Sequence, residues 1–524
     1  MVSTDPPARA GLASPVVALA AVWVGVVAAV LCRAALLPGV GYWDTAEFQT
    51  VGPVLGTAHS PGYPAYVLLG WLGSVVLQPL GDPAFRMNLL SALLVGLAAG
   101  LTVPLVRLLT GSLALGVAAG LGMSTTSIAW RIGTRADPHA LHLALVALLL
   151  LALVAWQRER GRGGGDRWLV AASAIFGVSV ANHSLTLLLA PAVGLYVLAV
   201  DPWVWRRIRL VATCALALGT EAVLLYLELP LRAGIFRAPL VYGTPQTWEG
   251  FAYIVTAEQF RGSVGDPLAN LPVKLRTLVD LTAVQLGPLA AFLPLAFFAT
   301  VLREPRYALL SGVGVAVTVF FNASYANADI ERYYLGPLLI AWTWLVILAI
   351  QAATVVAALA RGIDERPAVG TGGRRTNAVL LGRIAPVLFA AALLLPGALA
   401  LDARFRAVDA SRDRGAADWL DATLARLEPD AVVVSWWSYS TPLWYAQHVE
   451  GRIPGVTIVD DRTRLDEELG EVPDVIARYL GQRPVYLIRS DTREMERLAE
   501  TWELEPGPIS NSLVRVVGRR EASR

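Results

Sequence analysis

Long apolar runs, separated by short arginine-rich loops, limit most strongly how this chain can fold. A helix needs about 20 apolar residues to cross a bilayer core, and fewer where it is short or buried by its neighbours. By this criterion the chain contains about eleven such runs. A lipid core offers no water to backbone N–H and C=O groups, so each run must form a helix. The sequence therefore predicts an α-helical polytopic membrane protein. The predicted spans lie near residues 14–36, 85–108, 111–127, 138–156, 168–184, 186–201, 210–230, 277–301, 307–322, 333–360 and 384–401, with the pair at 168–201 alternatively forming one long tilted helix.

The composition agrees with a membrane protein and excludes several other classes. Only 16% of the residues are charged, and 55% are hydrophobic, whereas a soluble domain carries about 25% charged residues. The net charge of +2 gives no basic field for nucleic acid. The two cysteines, Cys32 and Cys214, lie in separate apolar runs, which excludes a disulfide framework and zinc-ligand spacing.

Arginine placement predicts the orientation, because short basic loops stay on the cytoplasmic side. The arginines concentrate in the loops near 157–167, 202–209, 303–306 and 361–383. This pattern predicts a cytoplasmic N-terminus in the plasma membrane, with loops 37–84 and 231–276 and the C-terminal tail outside. The first apolar run is alternatively a signal peptide, but no small-residue cleavage site precedes the turn at Pro38.

The composition changes after residue 401, so we divide the chain into a membrane domain at 1–401 and a second domain at 402–524. The second domain has ordinary charge density, and short apolar runs alternate in it with amphipathic stretches. This alternation predicts a small α/β domain with a mostly parallel sheet. The predicted strands lie near 431–434, 456–459, 485–488 and 513–517, and the predicted helices near 413–428, 464–480 and 491–500.

The first outer loop holds the most informative polar segment, Gly41 to Pro64. Asp44 and Glu47 follow the first apolar run, and His59 and Tyr63 lie in a glycine- and proline-rich turn. One interpretation is a capping box, in which Asp44 caps a helix and Glu47 reaches back. The other is a reactive site, since polar acids at the edge of an apolar scaffold are functional candidates.

Four further polar clusters fall at the outer ends of predicted spans. Each has a structural alternative: an acid can cap a helix, a membrane histidine can bond a neighbouring helix, and an arginine can extend to the interface. All of these clusters are predicted on the outer side of the membrane, which favours a single outward-facing site. The clusters are Asp137 with His139, Asn182 with His183, Arg232 with Arg261, and Asp329 with Glu331.

The order of these segments resembles a polytopic membrane family first described only as a domain of unknown function. The resemblance rests on Gly41–Pro64, Asp82–Ser91, Asn182-His183, Leu229–Arg232, Thr247–Phe251, Gln259–Arg261, Asp329–Pro337 and Pro442–Tyr445. The animal member of this family is a protein O-mannosyltransferase acting on plexin-type receptor domains. The resemblance implies a GT-C glycosyltransferase fold, a lipid-phosphate-linked sugar as donor, and Asp44 as the catalytic acid group with Glu47 beside it. The chain departs from the family pattern at Asp137-Pro138-His139, where a glutamate followed by an aromatic residue is expected.

The functional hypothesis is an inverting transfer of a sugar, with mannose as the candidate, from a polyprenyl phosphate to a hydroxyl of a protein or glycan. Asp44 would act as the base, and Arg232 or Arg261 would stabilise the departing phosphate. We therefore expect one of these arginines near Asp44. A divalent metal between the carboxylates is an open expectation. The alternative is a transporter or lipid flippase without covalent chemistry, for which polar groups near the bilayer midplane would be typical. The Trp436–Tyr439 run in the tail would contact a glycan or, as we favour, form core.

Overall fold

A computed structural model describes residues 14–160, 164–364 and 374–521. Two of the predicted inner-loop arginines, Arg162 and Arg366, lie outside the described residues. The helices of the N-terminal part are α1 Pro15–Ala34, α2 Trp43–Val54, α3 Pro64–Val76, α4 Pro83–Thr110, α5 Leu113–Ser124, α6 Ser127–Ile132, α7 Pro138–Glu159, α8 Asp166–Asn182, α9 Ala190–Val200, α10 Ile208–Tyr226, α11 Glu228–Ala233, α12 Trp248–Val255, α13 Leu271–Leu286, α14 Leu293–Arg303, α15 Pro305–Ser324, α16 Leu335–Asp364, α17 Arg374–Leu399 and α18 Leu401–Val408.

Eight helical segments of the described chain are long and apolar enough to cross a membrane. They are Pro15–Ala34, Pro83–Thr110, Pro138–Glu159, Ile208–Ala233, Leu271–Arg303, Pro305–Ser324, Ile330–Ala360 and Leu381–Leu399. The remaining predicted spans correspond to the shorter helices α5, α8 and α9. The stretch at 168–201 is not one long helix, because the α-helix ends at Asn182 and the next regular α-helix begins at Ala190.

The helices form a bundle around α4 and α7. In α7, 94% of the most apolar stretch is buried, whereas α10 buries none of its own and presents the surface expected of a lipid-facing helix. Two glycines of α4, Gly96 and Gly100, lie against the backbone of α1. A Cβ atom at position 96 would lie 2.6 Å from the carbonyl oxygen of Gly25. The small residues spaced four apart therefore allow α1 and α4 to pack backbone to backbone.

The C-terminal part carries a five-stranded sheet in the order β2-β1-β3-β5-β4. Its elements are α19 Gly415–Leu424, β1 Val432–Ser435, α20 Trp437–His448, β2 Thr457–Val459, α21 Asp461–Asp466, α22 Val472–Tyr479, β3 Val485–Ile488, α23 Thr492–Thr501, β4 Trp502–Glu505 and β5 Val514–Arg519. The predicted mostly parallel sheet is only half right: β1 pairs in parallel with β2 and β3, but β5 pairs antiparallel with β3 and β4. The antiparallel half arises because β4 follows α23 directly and turns back into β5, without a crossover helix.

The C-terminal part packs through α20 on the segment between α1 and α4, which was predicted to be the first outer loop. The hydroxyl of Tyr445 accepts the backbone N–H of Ala84 at the start of α4, at 3.2 Å. Around this contact, Tyr42 of the loop packs against Trp419 and Tyr439, with ring centroids 5.9 and 5.3 Å away. The same apolar cluster contains Ala46 of α2 and Leu443 of α20. The two parts of the chain thus contribute to one apolar cluster, which lies beside the polar loop.

The close contact of α1 and α4 makes a stability prediction. Gly96→Ala would push a methyl group into the backbone of α1, and overpacking of this kind costs about 1–3 kcal/mol. We expect a lower midpoint of thermal unfolding for the detergent-solubilised protein. The control is Gly194→Ala in α9, where an added Cβ meets no heavy atom within 4 Å. Equal midpoints for the two variants would contradict the packing described here.

Candidate active site

The acidic segment lies on α2, a helix of 12 residues that follows the first outer turn. The capping-box interpretation of this segment is wrong. The residue before the helix is Tyr42, which makes no side-chain cap, and Asp44 lies within the first turn. Glu47 does not reach back along the helix, because its carboxylate is engaged by His59.

Glu47 and His59 form a buried pair that connects the glycine- and proline-rich turn to α2. One carboxylate oxygen of Glu47 accepts the backbone N–H of His59 at 2.7 Å, and the other contacts Nδ1 of the ring. The two residues are 1% and 7% exposed. On the opposite side of the imidazole, the hydroxyl of Tyr63 lies 3.4 Å from Nε2. The expected convergence of His59 on the acids of α2 is therefore present.

Asp44 is paired with Arg332, which precedes α16. The Arg332 guanidinium lies 3.2 Å from Asp44 and 3.4 Å from Asp137, the residue that caps α7. Its side chain is only 15% exposed. A single cation thus joins carboxylates that lie far apart in the sequence. Arg332 was not among the site residues predicted from the sequence, although it lies beside Asp329 and Glu331, which were.

The charges around Arg332 set the protonation states of the acids. Burial alone would raise the pKa of Asp44, but the charges of His59 and Arg332 outweigh this effect and lower it. Burial likewise opposes ionisation of Asp137, yet contacts with His139 and Arg332 hold its pKa well below the usual range. Burial disfavours the charged form of His59, but Glu47 and Asp44 prevail and raise its pKa. Asp44 and Asp137 are therefore ionised at neutral pH.

Histidines form a second layer next to the acids. The rings of His139 and His183 lie 4.8 Å apart, and His142, which the sequence analysis missed, lies 6.1 Å from His183. Its spacing of three residues from His139 on a predicted helix was the available indication, since such residues share a helix face. Four of the five histidines in the chain, including His59, thus gather near one another.

Aromatic residues of the C-terminal part cover the acids. The indole N–H of Trp437 donates to Asp44 at 3.4 Å, and its ring lies 5.7 Å from that of His59. Tyr242 packs against the same indole, also with centroids 5.7 Å apart. The favoured interpretation of the Trp436–Tyr439 run as core is therefore incomplete, because Trp437 lies directly against an acid of the site. Trp436 instead packs on Trp43, with centroids 4.9 Å apart.

The remaining predicted residues lie farther from the acids. Asn182 is fully buried and donates to the carbonyl oxygen of Pro138 at 3.2 Å, joining α8 to α7. Glu331 forms an exposed ion pair with Arg131 at 3.3 Å. Asp329 is exposed and lies 3.3 Å from Arg332, so it borders the site.

The arginine expected beside Asp44 is a different one. Arg232 donates to the carbonyl oxygens of Leu55 and Val54 at 2.7 and 3.2 Å. It is thus held at the C-terminal end of α2, where a cation suits the unpaired carbonyls, while Asp44 lies at the other end. Arg261 is exposed and donates to Thr256 at 3.0 Å, although its neighbour Phe260 lies 6.4 Å from the His59 ring.

Asp44, Glu47 and His59 also have the composition of a metal site. One ligand atom from each lies within 4.8 Å of the others. Two carboxylates and an imidazole suit a divalent cation such as Mn²⁺ or Zn²⁺. The carboxylates near Arg332 outnumber the cations, which favours an additional positive charge here. The residues present therefore fit a divalent ion, although His59 would have to exchange its contact with Glu47 for one with the metal.

Comparison with known proteins identifies relatives of the segment that holds most of this site. Residues 44–205 match the family model of the protein O-mannosyl-transferase TMEM260 N-terminal domain. The mouse protein O-mannosyl-transferase TMEM260 is 33% identical over 225 residues, which cover 41% of this chain. The similarity to the protein O-mannosyl-transferase TMEM260 family is thus shown for residues 44–205 of the chain. The match spans only 30% of the mouse protein, less than a third of its length.

Solved structures share the architecture of nearly the whole chain. ArnT from Cupriavidus metallidurans, bound to undecaprenyl phosphate, superimposes with a TM-score of 0.62 at 16% identity, over 96% of this chain and 98% of ArnT. The oligosaccharyltransferase of Archaeoglobus fulgidus gives 0.51 at 13% identity, over 91% of this chain and 70% of that enzyme. These likenesses confirm the predicted fold class, an α-helical polytopic membrane protein with a GT-C-like fold and a small C-terminal α/β part.

The bridge through Arg332 predicts a large loss of stability on its removal. Arg332→Met would leave Asp44 and Asp137 facing each other, and breaking a buried ion pair costs about 3–5 kcal/mol. We expect a marked drop in the thermal unfolding midpoint. Adding Asp137→Asn should recover part of the loss, because it removes one of the opposed charges.

The matched control is Arg131→Met, which breaks the exposed pair with Glu331, whose side chains are 38% and 52% exposed. An exposed pair contributes about 0–1 kcal/mol. If Arg332→Met were no more damaging than Arg131→Met, the bridging role of Arg332 would be wrong.

Proposed function

We propose that this protein is a membrane glycosyltransferase that moves a sugar from a polyprenyl-phosphate donor to a hydroxyl group on the outer face of the plasma membrane. The observation that carries this proposal is Asp44, an ionised carboxylate between Arg332, His59 and Trp437 at the membrane edge. The relationship to the O-mannosyltransferase family over residues 44–205 supports it, and mannose is the candidate sugar. A GT-C neighbour that binds undecaprenyl phosphate supports the class of donor.

The proposed reaction is a single displacement with inversion. The acceptor oxygen forms a bond to the anomeric carbon while the bond from that carbon to the phosphate oxygen breaks. The electron pair of the broken bond leaves with the polyprenyl phosphate. The proton of the acceptor hydroxyl passes to Asp44, and general-base help of this kind contributes about 10²–10⁴-fold.

Arg332 takes the role that was expected of Arg232 or Arg261. Before the reaction, its charge is matched by Asp44 and Asp137. When Asp44 accepts the proton it becomes neutral, and the guanidinium is then available to the phosphate oxygen that gains charge. The interaction thus strengthens in the transition state, which is the condition for acceleration. Arg261, exposed near the site, would contact the phosphate of the donor at the membrane surface.

The groups around these residues would position the substrates. His59 and Glu47 hold the turn below Asp44, and Tyr63 contacts His59 from the other side. Trp437 restricts the direction from which an acceptor reaches Asp44, so the C-terminal part would take part in acceptor binding. If a divalent cation binds, Asp44, Glu47 and His59 would hold it, and it would supply positive charge for the phosphate.

The proposed topology keeps the N-terminus in the cytoplasm and the C-terminal part outside the cell. Asp44 lies in the first turn of α2 and contacts Trp437 of the C-terminal part, and Asp137 caps the N-terminus of α7, so neither acid lies along the middle of a span. This placement favours chemistry at the membrane edge over transport through the bilayer. The acceptor would be a protein hydroxyl or a glycan.

Replacement of the proposed base tests the function directly. We expect Asp44→Asn to lower transfer from radiolabelled polyprenyl-phosphate mannose by at least about 100-fold, because an amide cannot accept the proton. Purified protein in nanodiscs would be assayed with membrane proteins and glycans as acceptors. Asp418→Asn, which removes an exposed carboxylate of the C-terminal part, is the control. Transfer by Asp44→Asn at the wild-type rate would exclude Asp44 as the base.

The pKa of Asp44 predicts the pH dependence of transfer. A base must be ionised, and this pKa lies below its ordinary value of 3.8. We therefore expect kcat/KM to stay level as the pH falls from 7 to about 5, and to decrease only below the ordinary aspartate range.

The variant Arg332→Gln removes a positive charge that lowers the pKa of Asp44. The decrease of kcat/KM at acidic pH, the acidic limb of the profile, should therefore begin at a higher pH in this variant. Arg131→Gln should leave the limb in place. A wild-type limb near pH 6–7 would assign the base to another group of the site.

A further inference from the structure

Three buried imidazoles lie beside the acids with ring nitrogens that the proposed reaction does not use. His139, His142 and His183 are 2%, 6% and 4% exposed. Among the described residues, Nε2 of His139, Nε2 of His183 and Nδ1 of His142 have no hydrogen-bond partner. A buried polar atom without a partner costs about 1–3 kcal/mol, so these atoms indicate a ligand group.

The contacts of the other ring nitrogen determine whether the unpaired Nε2 of His139 and of His183 donates or accepts a hydrogen bond. Nδ1 of His139 lies 2.8 Å from a carboxylate oxygen of Asp137, so Nδ1 carries the proton and Nε2 presents a lone pair. Nδ1 of His183 accepts the backbone N–H of Leu185 at 3.1 Å, so in this ring Nε2 carries the proton. The adjacent rings therefore present one acceptor and one donor.

A hydroxyl group matches this pair, because it accepts one hydrogen bond and donates another. A phosphate oxygen accepts only and would leave the lone pair of His139 unused. A metal ion needs a lone pair from each ring, and His183 would have to give up its bond to Leu185. The pattern therefore favours a hydroxyl over an anion or a cation.

The imidazole pair is joined to the proposed reaction centre through shared contacts. Asp137 contacts His139 with one oxygen and Arg332 with the other. The ring of Tyr63 lies between His183 and His59, with centroids 5.3 and 5.2 Å away. The pair is thus connected to Asp44 through Asp137 and Arg332, and these contacts favour a molecule at the Asp44 site as the source of its ligand group.

We propose that His139 and His183 bind one hydroxyl group of the donor sugar and make the enzyme selective for sugars that carry it. This inference rests on the proposed function, which supplies the sugar. Both histidines are specificity residues, and their contacts exist before and during the reaction. Their loss should therefore act mainly on KM, whereas loss of Asp44 acts on kcat.

The experiment compares a donor sugar with its monodeoxy analogues. A panel of polyprenyl-phosphate mannose, glucose and galactose identifies the best donor, and each hydroxyl of that sugar is then removed in turn. We expect the wild-type enzyme to disfavour one analogue by about 10-fold or more in kcat/KM, because its buried ring nitrogens are left unpaired.

Two substitutions at position 183 separate the roles of the ring nitrogens. In His183→Asn, the amide oxygen can still accept the N–H of Leu185, but the group at Nε2 is lost. We expect this variant to distinguish the parent sugar from the disfavoured analogue less strongly than the wild-type enzyme does, because only His139 still contacts the hydroxyl group. In His183→Gln, the amide nitrogen replaces Nε2, and part of the selectivity should return. The control is His448→Asn at the end of α20.

The outcomes distinguish this inference from the function on which it rests. If His183→Asn fails to fold, His139→Asn serves instead, since its amide can still donate to Asp137 while Nε2 is removed. Unchanged selectivity in the folded variant, with transfer intact, would overturn the hydroxyl site and leave the proposed function standing. Stoichiometric zinc in the purified protein that is lost in both His183→Asn and His139→Asn would also overturn it. Absence of transfer from every donor would overturn both.

Discussion

The guanidinium of Arg332 holds the site together, since it is the cation between carboxylates of two separate helices. Asp44 lies in the first turn of α2, and Asp137 caps α7. Without this shared cation, the buried carboxylate of Asp137 and the half-buried carboxylate of Asp44 would repel each other and favour protonation. Arg332 precedes α16, so one ion cluster fixes the relative positions of α2, α7 and α16. The same cluster keeps Asp44 ionised, which links the packing of the bundle to the proposed chemistry.

Side chains from other segments pack around this cluster. The pair of Glu47 and His59 ties the following turn to α2, and Trp437 of the C-terminal part covers Asp44. A site of this kind strengthens electrostatic interactions because the local dielectric is low. The histidine layer beside it adds buried ring nitrogens next to Asp137. The site is therefore assembled from the first outer loop, the ends of membrane helices and one helix of the C-terminal part.

The sequence predicted the helical bundle well, because long apolar runs are a strong local pattern. Apolar runs gave the helices, and the polar residues at their ends included Asp44, Asp137 and His183. The choice of arginine was wrong, because Arg232 and Arg332 both lie next to apolar runs and only the packing decides which one meets Asp44. Arg232 proved to cap the far end of α2.

Other features that the sequence did not predict also have specific physical causes. His142 lies inside an apolar run, where it was read as part of the span, although its spacing from His139 places both on one face. Helix α20 contains Pro442 and many aromatic residues, which weakens the helical pattern. Strand β4, Trp502–Glu505, shows an alternating buried and exposed pattern but is short and directly follows a helix. In the absence of such local patterns, tertiary contacts determine the structure.

A structure of the protein with a polyprenyl-phosphate sugar, determined by cryo-electron microscopy in a lipid nanodisc, would test the central claim most directly. The account predicts the sugar between Asp44 and the pair of His139 and His183, with the phosphate within hydrogen-bonding distance of Arg332. A donor whose phosphate and sugar both lay away from Asp44 and Arg332, with their ion pair undisturbed, would contradict it.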